Sequence, residues 1–364
     1  MKQNQESMLK IRSISGRGGG YGRVAVIIPV YKTENYLKNA VQSVIKQSYS
    51  NIHAVILVDD GSPDNCSAIC DELADQYNTV RVIHKTNGGL SSARNAGLNY
   101  LRNNFVDTDW VLFLDSDDQL QKEAILGMVR KANDTDAEMV IPDRYIKVNE
   151  FTGKREICLH FTEAMYDENP KEFALNTLIG KGRAWRAHSL LYSYKLIERC
   201  EARFPEGHIS EDISFNLQVL AAAKKISIYP YPTVYYFKRS GSITTTFQNN
   251  FEQDIWYIDQ QAHAFLKSIN RKDDIALSKV DDLLCRNIVV YLFSIMSKSN
   301  TMTYMEKKKK AEELINNEKA RKVIRVKHKL PYFESLKSRI GIFVVYYLLR
   351  KKLDKVVFLM LSKL

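Results

Sequence analysis

Apolar positions come in an unbroken run near the start of this chain, then at helical spacing, then in a run again. Val24 to Val30 contains no polar residue. A run without polar alternation reads as a strand buried on both faces, and Pro29 sits near its end, where a lost N–H is tolerable. From Glu34 to Ser48 the apolar positions Leu37, Val41, Val44 and Ile45 fall on one helical face. The exchange then repeats: strand Ala54–Val58, helix Asp64–Tyr77, short strand Val80–Ile83, a glycine turn from Asn87 that opens a helix, strand Trp110–Leu114, a helix to Ala132, strand Met139–Ile141. Strand and helix in alternation over ~120 residues predict right-handed crossovers and an α/β fold with a mostly parallel, doubly wound sheet.

Beyond Pro142 the pattern is less regular. Arg144–Leu159 predicts a strand pair around Thr152-Gly153, Lys171–Ile179 a helix, and His208–Phe215 the start of another, continued by Leu217 and Leu220. Ile226–Tyr236 carries four tyrosines and leads to a basic loop, Lys238-Arg239-Ser240-Gly241-Ser242. From Phe251 the spacing becomes that of long helices, with Trp256, Ile258, Ala262, Phe265 and Leu266 on one and Leu283, Leu284, Ile288, Leu292 and Ile295 on the next. Met1–Gly22 is polar, basic and glycine-rich, without the apolar stretch of a signal peptide. The expected organisation is a flexible tail over 1–22, an α/β domain over 23–248 with halves 23–142 and 143–248, and a helical basic region over 249–364.

Charge narrows the partners. The 364 residues carry a net charge of +11, which favours an anionic partner: nucleic acid, anionic lipid or a phosphorylated substrate. No nucleic-acid motif accompanies the charge. Five scattered cysteines form no disulfide framework, and Cys66 and Cys70 lack a second pair to complete a zinc site. They read as reduced thiols of a cytosolic protein. Lys337–Leu364 mixes short apolar blocks with Lys337, Arg339, Arg350, Lys351, Lys352 and Lys355. That suits a helix lying on the inner face of the cell membrane, or an ordinary solvated face or oligomer contact. Its apolar run Ile340–Leu349 is about half the ~20 residues a spanning helix needs.

The candidate chemistry lies where the fourth strand ends. Trp110–Leu114 runs directly into Asp115-Ser116-Asp117-Asp118. In open α/β sheets ligands bind at the carboxyl edge of the strands. Carboxylates this close repel unless a cation sits between them, and a hard divalent ion that also binds substrate phosphates would do so. The plainer reading is a strand-to-helix turn capped by Asp117 or Asp118. A second acidic turn, Asp59-Asp60-Gly61-Ser62, falls on the same edge. No G-x-G-x-x-G follows the first strand and no Walker pattern occurs, which argues against a dinucleotide dehydrogenase and a P-loop NTPase.

Five pieces taken together resemble glycosyltransferase family 2: Val26–Tyr31, Val58–Ser62, Asn87-Gly88-Gly89 with Ala93-Arg94-Asn95, Leu114–Asp118, and Glu211-Asp212. The resemblance covers about Val24 to Thr245. It implies a GT-A fold and inverting transfer of a sugar from a nucleotide diphosphate, assisted by Mn²⁺ or Mg²⁺. On it, Asp212 is the catalytic base beside Glu211, and Asp117 reaches the metal with Asp115 and Asp118 alongside. Donor contacts are expected from Pro29, Val30, Tyr31, Glu34, Asp60, Gly88, Gly89, Arg94, Asp115, Ser116, Lys238 and Arg239. Arg94 would pair with phosphate or with the acids of Asp115–Asp118. Trp185, His188 and His208 are candidate acceptor contacts. The family's asparagine-lysine pair after a tryptophan is here Trp185-Arg186-Ala187-His188. The expected donor is a UDP-sugar and the expected acceptor a surface glycan on a lipid carrier. The rival readings are a sugar-phosphate nucleotidyltransferase, which lacks its glycine- and lysine-rich loop here, and a non-catalytic nucleotide-sugar or membrane module.

Overall fold

The computed structural model describes residues 21–160, 162–163, 166–167, 169–182, 186–238, 251–297, 299–326 and 336–361. The flexible tail expected over 1–22 lies, up to residue 20, outside them. Strands β1 (Val24–Val30), β2 (Ile52–Asp59), β3 (Val80–His84) and β4 (Trp110–Phe113) are parallel neighbours in the order β4-β1-β2-β3. Helices α1 (Leu37–Ile45), α2 (Cys66–Gln76) and α3 (Gly89–Asn104) connect them. The continuous apolar runs are explained by burial on both sides. Val24, Val26, Ile28 and Val30 enter one core with α1, α2 and α4 (Ala124–Thr135). Ala25 and Ile27 enter the other, with Ala54, Ile56 and Val58.

The second half adds what periodicity did not predict. β6 (Met139–Pro142) is separated from β4 by β9 (Leu191–Ser193), which runs antiparallel to both. With β10 (Ile226–Tyr229) the sheet order is β10-β6-β9-β4-β1-β2-β3. A three-residue strand buried between two others carries no usable period, which is why the Trp185–Leu196 stretch gave no element. The smaller sheet, β5-β11-β7-β8, joins β5 (Gln119–Leu120) and β11 (Val234–Lys238) to the predicted hairpin, β7 (Arg144–Asn149) and β8 (Arg155–Leu159). The helix expected over Lys171–Ile179 is α5 (Pro170–Phe173), capped by Asn169 and continued as a π-helical turn through Ile179.

Three further helices matter for the site. After α6 (Tyr194–Arg199), α7 (Glu211–Ala222) carries its two acids in its first turn. α8 (Phe251–Ser268) and α9 (Asp274–Met296) place Ile258, Ala262, Phe265, Ala276, Val280 and Leu283 in the same core as the sheet. Their other residues, Ile255, Leu284, Ile288 and Leu292 among them, join a separate core with α10 (Tyr304–Asn316), α11 (Glu318–Arg325), α12 (Leu336–Arg350) and α13 (Asp354–Leu361). The helical region is therefore continuous with the α/β unit and braces α7 from behind. No helix among the described residues is long and apolar enough to cross a membrane.

Candidate active site

Three chain segments converge at the carboxyl edge of β4. The strand ends at Phe113 and delivers Asp115 to Asp118. The start of α3 delivers Arg94, and the first turn of α7 delivers Glu211 and Asp212. Arg94 ties them together. Its Nη2 donates to Asp115 Oδ1 at 2.9 Å, and its Nη1 donates to Asp212 Oδ1 at 2.7 Å and Glu211 Oε1 at 3.1 Å. The side chain is 1% exposed, and its Cζ sits 5.0 Å from the centre of the Phe204 ring. Phe204 stacks on Phe215 and meets Phe113 edge-on, so a packed aromatic platform sets the height of the guanidinium. Of the two partners expected for Arg94, the structure selects the acids.

The acids differ in their surroundings. Asp212 keeps 21% of its side chain exposed, whereas Glu211 keeps 8%. Burial, and next the Asp212 charge, push the Glu211 carboxyl up to about 8. For Asp115 burial opposes ionisation, but His188 and then Arg94 outweigh it and hold the carboxyl below its ordinary range.

Asp118 is 1% exposed, and its side chain accepts a hydrogen bond from the Phe237 N–H to Oδ1 at 3.1 Å. Its Oδ2 is buried without a hydrogen-bond partner, and so is Nδ1 of His188. The two atoms face each other at 3.8 Å, and His188 Nε2 lies 3.9 Å from Asp115 Oδ2. One ligand atom from each of Asp115, Asp118 and His188 falls within 4.8 Å of the others. Burial raises the Asp118 carboxyl well above its usual range, helped by Asp117 and Asp115, and burial lowers the His188 imidazole. Buried, unpartnered donor atoms that disfavour their own charged neighbours fit a divalent cation. His188, expected at the acceptor, thus stands with the metal candidates. It is carried there by a bridge between Phe113 and His188 and by Ser189 N–H donating to Phe113 O at 2.7 Å. Asp117 is half-buried and is not one of this trio.

The second acidic turn is a closed unit. Asp60 Oδ1 accepts from Lys85 Nζ at 2.6 Å and Gly88 N–H at 3.0 Å, and Oδ2 accepts from Gly89 N–H at 2.8 Å. Asp60 is therefore occupied with the glycine turn that was expected to approach the ligand. Gly89 has φ +84, and a Cβ on Gly88 would lie 2.7 Å from Ser92 Oγ, so both positions require glycine. Pro29 and Val30 are buried in β1, while Tyr31 is exposed just beyond it. Ser116 is buried under a hydrogen bond from Thr33 Oγ1. Glu34 is exposed and accepts from the Asn65 N–H at 3.0 Å, in the loop before α2. His208 is engaged with α8: Nδ1 lies 2.7 Å from Asp254 Oδ1 and the ring stacks on Tyr257 at 3.7 Å. Lys238 ends β11; Trp185 and Arg239 lie outside the described residues.

Arg186 was not singled out from the sequence. Its guanidinium Cζ lies 4.5 Å from the Tyr145 ring centre and 4.6 Å from that of Tyr236. Only the run Trp-Arg-Ala-His, out of keeping with the expected asparagine-lysine, marked the place.

A mostly parallel sheet with acids gathered at its carboxyl edge defines an open α/β fold with its candidate ligand site at that edge. Known proteins make the class specific. The profile of Glycosyl transferase family 2 matches residues 25–185. Glycosyltransferase GlyG of Streptococcus pneumoniae serotype 4 is 31% identical over 241 residues, covering 64% of this chain and 76% of GlyG. Glycosyltransferase GlyA of the same organism is 31% identical over 237 residues, and the chain spans 31% of its length. The structure of S. aureus TarS 1-349 in complex with UDP-GlcNAc superposes with a TM-score of 0.61 at 20% identity, over 94% of this chain and 90% of that one. The chain belongs to glycosyltransferase family 2 and has the GT-A fold.

Proposed function

We propose that the protein transfers a sugar, with inversion, from a nucleotide-diphosphate donor to a hydroxyl of a glycan or lipid-linked acceptor. The observation that carries this reading is the Arg94 bridge, which spans a donor-side acid and the acids of α7 in one hydrogen-bonded unit. Asp212 is the base: its carboxylate is the more exposed of the pair, and it takes the acceptor's proton as the hydroxyl oxygen attacks the anomeric carbon. The bond from that carbon to the diphosphate breaks on the opposite face. Glu211, buried and held by Arg94, fixes the turn that aims Asp212. Asp115, Asp118 and His188 are the residues to hold Mn²⁺ or Mg²⁺, with Asp117 adjacent; two carboxylates and an imidazole suit Mn²⁺ better than the all-oxygen preference of Mg²⁺. When bound, the ion supplies Lewis acidity toward the departing diphosphate. The UDP-GlcNAc of the TarS complex supports a UDP-sugar as donor.

A peripheral membrane position is part of the proposal. On α12, Ile342, Val345, Tyr346 and Leu349 face the helical core, while Ile340, Phe343 and Tyr347 stand exposed on the other side. Arg350, Lys351, Lys352 and Lys355 are exposed beside them. An apolar ridge bordered by cations is what an anionic lipid surface binds.

The decisive experiment incubates the protein with a panel of UDP-sugars, Mn²⁺ and candidate acceptors, and follows UDP release. Release that stops with EDTA and in Asp212→Asn, with UDP binding kept within a few-fold, supports the transferase. Turnover unchanged in Asp212→Asn removes that residue as base. UDP-sugar bound with no turnover on any acceptor supports the non-catalytic module. Formation of a nucleotide-sugar from a sugar phosphate supports the nucleotidyltransferase. Deleting Lys337–Leu364 should release the protein from anionic vesicles; retention would remove the membrane contact.

A further inference from the structure

We propose that Arg186 is a phosphate-binding residue of the active site, its guanidinium edge presented to the diphosphate of the donor. The inference rests on the transferase reading and adds a residue to it.

The geometry is that of a clamped cation. Tyr145 on β7 and Tyr236 on β11 cover Arg186 within 4.6 Å of their ring centres, and the two rings meet each other edge-on at 6.0 Å. The backbone is fixed as well: Arg186 O accepts from Asn216 Nδ2 of α7 at 3.2 Å. Clamping by rings orients a guanidinium but gives its N–H groups nothing to bind. Nη1 is buried and has no hydrogen-bond partner. No carboxylate of the described residues forms an ion pair with Arg186. A buried, unsatisfied charged donor costs more than a neutral one, so such a group is retained where a ligand completes it.

Position identifies the ligand's chemistry. His188, two residues on, belongs to the trio with Asp115 and Asp118, and the field of Arg186 acts on all three. Around this point stand Asp115, Asp117, Asp118, Glu211 and Asp212. Arg94 is consumed by three of those acids. Arg186 is thus a cation of the site with charge left for a ligand. A planar guanidinium open at its edge suits the paired oxygens of a phosphate, and a compact ammonium would neither stack nor bind bidentately. The leaving diphosphate gains negative charge as the glycosidic bond breaks, so a fixed cation beside it favours departure. An acceptor that carries phosphate offers the same chemistry from the other side, and the test separates the two.

The experiment titrates UDP and, separately, uridine into the full chain with Mn²⁺ present, by calorimetry and by competition. Arg186→Ala and Arg186→Gln are compared with the wild type; glutamine keeps a flat group between the rings if alanine fails to fold. UDP affinity should fall at least tenfold in both variants, with uridine within twofold and the melting temperature little changed. UDP affinity within twofold of wild type overturns the proposal, including the case in which only the acceptor KM rises, which would put Arg186 on the acceptor. An equal loss for uridine also overturns it, since the damage would then be to the nucleoside site. A wild type that binds no UDP and no other nucleoside diphosphate fails the transferase reading and this proposal together. A wild type that binds UDP while the variants match it fails Arg186 alone.

Discussion

Replacing Arg94 by methionine should destabilise the protein more than most single changes in it. Methionine fills a similar length and keeps a favourable contact with the Phe204 ring. What it removes is charge. Three charge-assisted hydrogen bonds at roughly 1.5–3 kcal/mol each amount to about 5–9 kcal/mol gross. Taking the guanidinium out of water costs several kcal/mol, which offsets much of that gain in the wild type. The variant is left with the Asp115 and Asp212 carboxylates facing each other without a counter-charge, beside the buried Glu211 carboxyl, which holds its proton at neutral pH. Breaking a buried pair in this way costs about 3–5 kcal/mol. Urea unfolding followed by tryptophan fluorescence at neutral pH measures the loss. A second arm sharpens the result: Asp212→Asn in the Arg94→Met background should recover part of it, giving a clear coupling energy in the double-mutant cycle. A loss below about 1 kcal/mol, the range of exposed ion pairs, would refute the reasoning. So would strict additivity with Asp212→Asn.

Other outcomes follow from the same geometry. The Glu211 carboxyl is raised to about 8 from an ordinary 4.5, so the folded state holds a proton the unfolded state has released between those values. Its contribution therefore falls as pH rises through that window, and Glu211→Gln should be stabilised relative to wild type at about pH 9 but not below about pH 4.5, read from urea midpoints. Equal midpoint differences at both ends would contradict the raised carboxyl. His188→Gln should weaken Mn²⁺ binding at least about tenfold by calorimetry, and unchanged affinity would remove His188 from the metal trio. Gly97→Ala would bring a Cβ to 2.5 Å from Ile27 Cγ2, where α3 crosses β1. The expected loss is about 1–3 kcal/mol, seen as a lower melting temperature, and a neutral effect would mean that the helix shifts freely on the sheet.

Periodicity carried most of the α/β half, because a strand buried on both faces and a helix buried on one each leave a local signature. Val24–Val30, Ala54–Val58 and Trp110–Leu114 were legible for that reason, and with them the sheet edge where Asp115–Asp118 emerges. β9 was not legible, since three residues between two strands have no period, and its insertion is what brings His188 beside Asp118. The residue types at the site were legible too; their pairings were not. Arg94 lies 117 and 118 positions from Glu211 and Asp212, and 21 from Asp115. Asp60 was legible as a candidate donor contact, but the bonds it accepts from Lys85, Gly88 and Gly89, 25 to 29 positions away, were not.

By itself the sequence determined the strands of the first half, their order of appearance, the acidic turns at their ends and the family to which they belong. The tertiary structure alone decided which acids share Arg94, which join His188, and that Arg186 stands against Tyr145 and Tyr236 with Nη1 unpartnered. The physical reason is that hydrophobic pattern records whether a position is buried, whereas charge compensation depends on which distant group is buried against it.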